Sequence, residues 1–531
     1  MKEEFSVLVG GKAGQGIKWA AETLGKFFTY SGLEVFVYHD YESVIRGGHN
    51  FSIVRISKEK VYAHLNKIDV IVAFDINTVK LHEKKLAKEG KIICDVSLKH
   101  EAEKLTKKKI IALPLNKFGK SANAAGIAAC LLIRGFDTYE LLKIIKDKRI
   151  SENIVAVNEI EQILGKKETI NSKHKLKINK KREFLNGSET IAEGLIAAGL
   201  QRYFAYPMTP SSIVLHYLAK QQKRFGLAIQ PENEIAVANL ALGSAYAGCK
   251  TAVGTSGGGF DLMHEALSLS GMAEIPFVVV MAQRAGPSTG VPTYSSQSDL
   301  MSVINAGHGE FPRFIVAPAT IEDAFYWSSR AMNIAWQFQI PSIILVDKMI
   351  TESDQSVELD RKKTKNMKFN IAFPGSISKA VKVSSNEHDE QGFTTENPEI
   401  IKKMQEKRMK KRENLIKFLH QEKRVRFLGE LNSKNIVFCW SSTLGALVEA
   451  KKMTSKKFEI VAPIILEPFP KGEIRKAVSN AKKIICIEAN ATGQLASLLK
   501  QKLCIDPIKI LKYDARPFDP LELARKLEEV L

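Results

Sequence analysis

Short apolar runs separated by helix-like segments recur along the chain, and this pattern predicts the fold class. In the N-terminal part, FSVLVG, EVFVYHD, FSIVRIS, KIDVIVAFD and KIICDV each have the length and apolar character of a buried strand. Helical patterns lie between them, among them residues 17–31 and 79–90. Alternation of this kind indicates an open, mostly parallel sheet with helices on its faces, over residues 1–165.

The same alternation returns twice further along the chain. Residues 185–355 contain PFVVVMAQR and PSIILVDKM, and residues 426–531 contain NIVFCWSS, FEIVAPIIL and AKKIICIEAN. A basic linker, 166–184, and an irregular stretch followed by a basic helix, 356–425, connect these parts. We therefore expect an α/β protein with three domains of mostly parallel sheet.

The composition is that of a globular protein, with 531 residues, 45% hydrophobic and 26% charged. Apolar runs such as PFVVVMA are far shorter than the roughly 18–20 residues of a membrane-spanning helix. The N-terminus has no cleavable apolar core, so a cytoplasmic protein without membrane contact is expected. Six cysteines without a CxxC pair argue against a disulfide framework, a zinc ribbon or an iron–sulfur site within this chain.

The net charge of +20 raises the question of nucleic acid. The excess lies mainly in residues 166–184 and 400–426, and neither stretch interleaves aromatic residues as a base-stacking surface would. The second stretch has apolar residues at helical spacing among its lysines, which is typical of a solvated helix between domains. Attraction of an anionic substrate or an acidic partner is therefore favoured over nucleic-acid binding.

Candidate catalytic carboxyls lie within the stretch from Tyr203 to Leu300. Glu232 and Glu234 precede the helix-like sequence IAVANLALGSAYAG. Because they are two residues apart at a helix start, they point in different directions, and at most one faces the interior. Placement of negative charge at a helix N-terminus is the alternative explanation for both.

The same stretch supplies candidate binding groups. Thr209 and Ser211 follow a strand-like run at the start of a helix, where hydroxyls and free backbone N–H groups suit a carboxylate or simply cap the helix. Glycines at 257–259 allow a ligand to approach the backbone. Arg284 leaves the carboxyl end of a predicted strand, where open α/β sheets bind ligands, and a guanidinium is suited to a carboxylate.

Two glycine-containing loops in the N-terminal part are candidate anion sites. GKAGQG follows the first predicted strand, but it is neither GxGxxG nor a phosphate loop. Its backbone N–H groups suit an anion, and a tight turn alone explains the glycines equally well. The same two explanations apply to Arg46, Gly47 and Gly48.

Eight segments in a fixed order carry a family resemblance. They are GKAGQG, IRGGHNFSIVRIS, AYPMTPSS, ENEIAVANLALGSAYAG, TSGGGFDLMHEAL, QRAGPSTGVPT, GHGEFPR and EANATGQL. Together they resemble the 2-oxoacid:ferredoxin oxidoreductases, and specifically an alpha subunit with a gamma-type domain fused at its N-terminus. Met208 replaces the usual isoleucine of the YPITP-type motif, a change that keeps size and apolarity.

The resemblance implies a fold for each part and an activity for the whole. Residues 1–165 are expected to form a gamma-type α/β domain, 185–355 a pyrimidine-type thiamine diphosphate-binding domain, and 426–531 a transketolase-C-like domain. The implied reaction is oxidative decarboxylation of a 2-oxoacid to acyl-CoA and CO2, with ferredoxin reduced and coenzyme A as co-substrate. The fused layout is more similar to 2-oxoglutarate or broad-specificity enzymes than to pyruvate-specific ones.

The resemblance also assigns roles to residues. Glu234 lies nine residues before Gly243, which is similar to other thiamine pyrimidine domains, so it is preferred to Glu232 as the carboxyl that contacts the pyrimidine. The implied substrate-binding residues are Tyr206, Thr209, Ser211, Arg284 and Thr293. The implied cofactor-binding residues besides Glu234 are Ser256, Gly257 and Gly258. The loops at Gly14, Gln15 and Gly16 and at Arg46, Gly47 and Gly48 are candidates for coenzyme A.

Part of the expected apparatus is missing from the sequence. The chain has no Gly-Asp-Gly and no cysteine cluster, so no metal site is assigned to it. The resemblance implies a beta subunit that supplies Mg2+ and a [4Fe–4S] cluster and shares thiamine diphosphate, in an alpha-beta heterodimer or an (alpha-beta)2 heterotetramer. The alternatives are an alpha-type subunit of an indolepyruvate or NAD-linked enzyme, and a regulatory protein that binds nucleotides or nucleic acid.

Overall fold

The apolar runs of the N-terminal part form the strands of one eight-stranded sheet. The computed structural model describes residues 4–43, 47–145, 148–167, 176–179, 181–376 and 380–531. Contacts divide the chain into a first unit (Met1–Leu185, Ser353–Glu358 and Asp519–Leu521) and a second unit (Asn186–Glu352, Leu359–Phe518 and Glu522–Leu531). The first unit thus extends beyond residue 165, and it also contains a strand from the segment Ser353–Glu358.

The strands of the first unit, numbered by their place in the chain, are β1 (Glu4–Ala13), β2 (Glu34–Asp40), β3 (Gly47–Ser57), β4 (Ile68–Ala73), β5 (Leu86–Asp95), β6 (Lys109–Leu113), β7 (Glu183–Asn186) and β14 (Asp354–Val357). Its helices are α1 (Ile17–Tyr30), α2 (Ile76–His82), α3 (Lys99–Leu105), α4 (Ala122–Ile133), α5 (Tyr139–Ile144) and α6 (Ile150–Lys167).

The sheet of the first unit is mixed. Its strand order is β6-β5-β4-β1-β3-β2-β14-β7. The pairs on one side, β1/β4, β4/β5 and β5/β6, are parallel, with Val7 opposite Val70, whereas β1/β3, β2/β3 and β2/β14 are antiparallel. The α/β fold expected from the alternation is confirmed, and the antiparallel half is an addition to it.

One expectation for the first unit is wrong. The helical pattern over residues 79–90 ends early, because α2 stops at His82 and β5 already begins at Leu86. Leu86 pairs with Ile68 of β4, so sheet pairing overrides the local helix propensity of the lysine-rich sequence.

The second unit contains two sheets. The strands of its seven-stranded sheet are β8 (Arg202–Ala205), β9 (Leu227–Ile229), β10 (Thr251–Thr255), β11 (Phe277–Gln283), β12 (Phe314–Val316), β13 (Pro341–Asp347) and β18 (Ile465–Glu467). The strands of its five-stranded sheet are β15 (Val425–Gly429), β16 (Asn435–Phe438), β17 (Glu459–Pro463), β19 (Lys483–Glu488) and β20 (Ile508–Leu511).

The helices of the second unit are α7 (Gly187–Ala197), α8 (Ser212–Lys220), α9 (Gln222–Phe225), α10 (Glu234–Tyr246), α11 (Gly257–Asp261), α12 (His264–Ala273), α13 (Leu300–Ile304), α14 (Ile321–Phe338), α15 (Lys348–Glu352), α16 (Pro398–Leu419), α17 (Thr443–Lys451), α18 (Lys471–Val478), α19 (Gln494–Leu503) and α20 (Pro520–Val530). Within the described ranges, no helix combines the length and apolarity needed to cross a membrane.

Parallel pairing brings the candidate loops of the second unit to one edge. The larger sheet has the order β18-β12-β13-β11-β10-β8-β9, and β8, β10 and β11 run parallel to one another. All residues of β10 and β11 are buried, as expected for strands covered on both faces. The loops that follow these three strands therefore leave the sheet at the same edge.

The C-terminal part is joined to this sheet by a strand. β18, which follows β17 in the chain, runs antiparallel to β12, with Val316 opposite Ile465. One hydrophobic core accordingly contains residues of both sheets, such as Val279 and Phe438. This shared core explains why residues 426–531, which the sequence predicts as a third domain, cluster with the second unit.

The basic helix α16 is less solvated than the sequence suggests. Its Met404, Leu415 and Leu419 are buried, and so is Arg408, which forms an ion pair with Glu387. Part of the positive charge of the chain thus forms an ion pair within the second unit and is not available to a binding partner.

Candidate active site

The entrance of α10 buries one of the two candidate carboxyls. The Asn233 side chain caps the helix by accepting a hydrogen bond from the Ala236 N–H at 2.9 Å. Glu234 is the first residue of the helix and is only 4% exposed, whereas Glu232 lies before the cap and is exposed. Glu234 is therefore the one that faces the interior.

Gly259 makes room for this carboxyl. A Cβ at Gly259 would lie 2.5 Å from Glu234 Oε1 and 2.3 Å from Thr255 Oγ1, so any other residue would displace one of them. At Gly258 a Cβ would meet nothing within 4 Å, and at Gly257 it would come within 3.3 Å of Asp299 Oδ2. The sequence points to Gly257 and Gly258, and the structure adds Gly259 as the glycine in contact with Glu234.

Arg284 and Thr209 meet at the edge of the sheet. Arg284 follows β11, is half-buried, and donates a hydrogen bond from Nη1 to the carbonyl oxygen of Thr209 at 3.1 Å. Burial lowers the pKa of the guanidinium, and the nearby Asp299 and Glu234 carboxyls oppose this shift. The arginine, the Thr209 turn and Glu234 therefore belong to one site.

The side chains of the remaining predicted substrate residues differ in whether they can contact a ligand. The Ser211 hydroxyl donates to the Met208 carbonyl oxygen at 2.8 Å, so it stabilises the turn before α8. Tyr206 is 39% exposed on the same turn. Thr293 is buried, its carbonyl oxygen accepts a hydrogen bond from Lys348, and its hydroxyl has no partner.

Among the candidate site residues and Asp299, four buried polar atoms have no hydrogen-bond partner. They are Glu234 Oε1, Ser256 Oγ, Thr293 Oγ1 and Asp299 Oδ2. Each such atom costs about 1–3 kcal/mol unless a donor or acceptor reaches it. The donor set, two carboxyls and two hydroxyls, suits a polar ligand with ring nitrogens or amino groups, and thiamine diphosphate carries both on its pyrimidine.

Asp299 is a site residue for which the sequence predicts no role. It belongs to SQSDL, at the end of the stretch that opens with Tyr203. Of the two residues, only Arg284, which lies near Asp299 in the structure, has a sequence position that suggests binding. Its carboxyl reaches the glycine loop because the Asp299 N–H donates to the side-chain oxygen of Gln283 at 3.0 Å. Burial raises the pKa of Asp299 to about 6, with Asp261 raising it further and Arg284 lowering it.

The loop after β19 and the start of α19 hold SQSDL in position. Gln297 donates its N–H to the carbonyl oxygen of Ala489 at 2.8 Å and accepts from the Ala489 N–H at 2.9 Å. Asn490 donates to the Gln297 carbonyl oxygen at 3.0 Å, and Gln494 donates to the Ser298 carbonyl oxygen at 2.6 Å. The motif EANATGQL thus has a structural function, which is to support the loop that carries Asp299.

In the first unit, the GKAGQG loop is a tight turn. Gly14 and Gly16 have φ values of 89° and 72°, and the Gln15 side chain closes the turn by accepting from the Lys12 N–H at 2.6 Å. Gly16 precedes α1, and a Cβ there would lie 2.2 Å from the Asn123 side-chain nitrogen. The turn alone accounts for these glycines, and coenzyme A binding stays a proposal.

The second anion loop is described only in part. Arg46 lies outside the described residues, Gly47 begins β3, and Gly48 has a φ of 64°.

Two family descriptions match the chain. Residues 193–423 match "Pyruvate flavodoxin/ferredoxin oxidoreductase, thiamine diP-bdg", and residues 6–167 match "Pyruvate ferredoxin/flavodoxin oxidoreductase". The first match contains Arg284 and both candidate carboxyls.

One relative covers nearly the whole chain, and another covers about two thirds of it. The chain is 30% identical over 613 residues to "2-oxoacid:ferredoxin oxidoreductase subunit alpha" of Sulfolobus sp, which covers 99% of this chain and 96% of the relative. It is 31% identical over 362 residues to "2-oxoglutarate synthase subunit KorA" of Archaeoglobus fulgidus, covering 66% of this chain and 98% of that protein.

A solved structure has the same fold over its full length. The 2-oxoglutarate:ferredoxin oxidoreductase from Magnetococcus marinus, with 2-oxoglutarate, coenzyme A and succinyl-CoA bound, matches with a TM-score of 0.89 and 26% identity, over 100% of both chains. The order of motifs, the fold and these relatives agree. The chain belongs to the 2-oxoacid:ferredoxin oxidoreductases, as an alpha subunit with a fused gamma-type domain.

Proposed function

We propose that this chain, together with a beta subunit, catalyses oxidative decarboxylation of a 2-oxoacid to acyl-CoA and CO2 and reduces ferredoxin, with 2-oxoglutarate favoured. One observation carries the proposal: the buried, unpartnered Glu234 carboxyl lies in the same site as Arg284. The first group suits a thiamine pyrimidine and the second a substrate carboxylate.

Glu234 is proposed as the carboxyl that contacts the cofactor. Bound thiamine diphosphate supplies the carbon nucleophile for attack on the 2-oxo group. Glu234 would hold a proton against a pyrimidine ring nitrogen through Oε1, the atom that lacks a partner. Ser256, Gly257 and Gly258 would border the cofactor, and Gly259 keeps the carboxyl in place.

Arg284 is proposed to bind the carboxylate of the 2-oxoacid. Its Nη1 donates to the Thr209 carbonyl oxygen, which orients the planar guanidinium and leaves further N–H groups for a ligand. Charge-assisted hydrogen bonds of this kind are the strong ones. Tyr206, Ser211 and Thr293 would shape the pocket around it, with Ser211 acting through the turn.

The substrate preference is inferred from the relatives. The Archaeoglobus fulgidus relative is named a 2-oxoglutarate synthase subunit, and the Magnetococcus marinus structure holds 2-oxoglutarate, coenzyme A and succinyl-CoA. The Sulfolobus relative is named for 2-oxoacids in general, which keeps broad specificity open. Coenzyme A is proposed as co-substrate, with the loops at Gly14–Gly16 and Arg46–Gly48 as its candidate contacts.

A beta subunit is proposed to complete the site. It would share the diphosphate end of the cofactor, bind Mg2+, and carry the [4Fe–4S] cluster that passes electrons to ferredoxin. The α10 face that carries Ile235 and Leu240 is exposed and uncharged, which suits such a partner. A heterodimer or an (alpha-beta)2 heterotetramer in the cytoplasm is the proposed form, and the six unpaired cysteines agree with a reducing compartment.

The test is reconstitution with a candidate beta chain. We expect reduction of ferredoxin or viologen only with both chains, a 2-oxoacid and coenzyme A, and a higher kcat/KM for 2-oxoglutarate than for pyruvate or indolepyruvate. Arg284→Ala should raise KM by about 10- to 100-fold, the loss of a charged hydrogen-bond pair, whereas Arg475→Ala, at an exposed position of α18, should not. Preference for indolepyruvate, or for NAD as acceptor, would favour the alternative enzymes. Full activity of the isolated chain would contradict the shared site.

A further inference from the structure

Asp299 occupies a capping position without capping. It is the residue before α13, where aspartate side chains commonly accept a hydrogen bond from the first turn, but its carboxyl makes no such bond. Its backbone is held instead by Gln283, whose side-chain oxygen accepts from the Asp299 N–H at 3.0 Å. Since Gln283 immediately precedes Arg284, this bond ties the backbone of Asp299 to the end of β11.

The carboxyl is directed at the glycine loop. Its Oδ2 atom is buried, has no hydrogen-bond donor, and would lie 3.3 Å from a Cβ at Gly257. The acidic groups near Arg284 are Asp299 and Glu234. On α11 the exposed Asp261 also faces Asp299, and it is itself 3.4 Å from His264 of α12. Asp299 is thus a half-buried residue whose inner carboxyl oxygen, Oδ2, is buried and has no hydrogen-bond partner.

The charges around Arg284 explain why an ionised Asp299 would oppose binding of a substrate carboxylate. Arg284 contributes one positive charge and ionised Asp299 one negative charge, while Glu234 would hold a proton against the pyrimidine in the loaded site. A 2-oxoacid brings at least one more carboxylate to the same guanidinium, at distances where like charges repel strongly inside a protein. Burial already raises the pKa of Asp299 to about 6, close to the range in which enzymes work.

We propose that Asp299 takes up a proton from solvent when the 2-oxoacid carboxylate binds beside Arg284 and releases it when the product leaves. In the neutral form it no longer competes for the guanidinium. The inference rests on the proposed function, because it needs Arg284 to be the carboxylate site. Asp299 is a positioning residue here, since it acts through the charge available on Arg284.

The experiment uses the reconstituted alpha-beta complex and follows the pH dependence of KM for 2-oxoglutarate. For the wild type we expect KM to rise between pH 7 and 8 by up to about tenfold, the limit for one linked proton, with kcat changing less. In Asp299→Asn, KM should change little over this pH range, and at pH 8 it should be lower than the KM of the wild type. Asp261→Asn removes an exposed carboxylate that raises the pKa of Asp299, so KM should still rise with pH, with the onset of the rise moved to lower pH.

A second measurement does not depend on the variant. Calorimetric binding of 2-hydroxyglutarate, which has no oxo group to react, in two buffers of different ionisation enthalpy should give an uptake approaching one proton per wild-type site. If no proton is taken up, or if the KM of Asp299→Asn still rises with pH as in the wild type, the inference about Asp299 is wrong while the proposed function stands. A wild-type complex that turns over no 2-oxoacid would instead overturn the proposed function, and this inference with it.

Discussion

At the residue scale, the site depends on a contact between a glycine and a carboxyl. Gly259 lies against Glu234, and Thr255 Oγ1 borders the same space. The carboxyl is therefore held by packing as well as by its place at the start of α10, while its Oε1 is left without a partner. A pre-positioned carboxyl of this kind loses little freedom when a cofactor binds.

Gly259→Ala should damage both stability and turnover. The new methyl group would lie 2.5 Å from Glu234 Oε1 and 2.3 Å from Thr255 Oγ1, so these side chains must shift. We expect a loss of about 1–3 kcal/mol in the free energy of unfolding, as for other overpacked sites, and a clear fall in kcat. Urea unfolding and initial rates of the reconstituted complex measure the two effects.

Gly472→Ala is the matched control, because a Cβ there meets nothing within 4 Å. It lies within α18, where alanine should leave the stability unchanged or raise it by up to about 1 kcal/mol. Equal behaviour of the two variants would contradict the packing role of Gly259.

The choice between the two carboxyls shows what sequence can and cannot give at this scale. Their spacing predicts only that the side chains of Glu232 and Glu234 point in different directions. Burial of Glu234 requires the local Asn233 cap, and it also requires the position of α10 on the sheet and the approach of Gly259, which depend on residues distant in the chain. Asp299 was beyond prediction for the same reason, because its neighbour Gly257 comes from another loop.

At the element scale, α10 has a buried side and an exposed side. Val237, Ala238 and Ala241 pack into the core, whereas Ile235 is 51% and Leu240 48% exposed. The exposed side adjoins the buried Glu234, so a chain that covers it would also enclose the site. This is the surface that the proposed beta subunit is expected to cover.

Charges on this face should weaken assembly. The double variant Ile235→Asp/Leu240→Asp would bury two unpaired carboxylates in the interface, so we expect less beta chain to co-purify and a smaller particle by size-exclusion chromatography. Leu431→Asp changes a residue that is 62% exposed in a loop of the second unit, and it should assemble normally. Normal assembly of the double variant would show that the partner binds elsewhere.

A histidine pair in the first unit makes its stability depend on pH. His49 and His82 contact each other through their Nε2 atoms at 2.9 Å, and burial lowers the pKa of His82 to about 3. Because unfolded histidine has a pKa near 6.5, the unfolded state binds the proton first. The stabilising contribution is therefore present above pH 6.5 and is lost as the pH falls toward 3.

We expect the free energy of unfolding to fall from pH 7 to pH 5, by at most about 1.4 kcal/mol per pH unit for this group. His82→Gln, although less stable at pH 7, should lose less over that range in urea unfolding. His420→Gln, at the exposed end of α16, should behave like the wild type. An unchanged pH dependence in His82→Gln would contradict the assignment.

At the scale of the whole molecule, the sequence predicts the α/β class, the order of the motifs and the family. These depend on local apolar periodicity and on short motifs, which a sequence shows directly. It does not predict β14, whose pairing with β2 joins residues 354–357 to a strand at 34–40. Nor does it predict β18, which links the C-terminal part to the seven-stranded sheet through Val316 and Ile465.

The most direct test of the account is the rate of ferredoxin reduction by the reconstituted complex with 2-oxoglutarate and coenzyme A. Glu234→Gln should lower kcat by about 10²–10⁴-fold, the usual contribution of a positioned acid or base. Glu232→Gln should stay near the wild type, because its side chain is exposed. Wild-type turnover by Glu234→Gln would contradict the assignment of Glu234, and a loss confined to Glu232→Gln would transfer the role to Glu232.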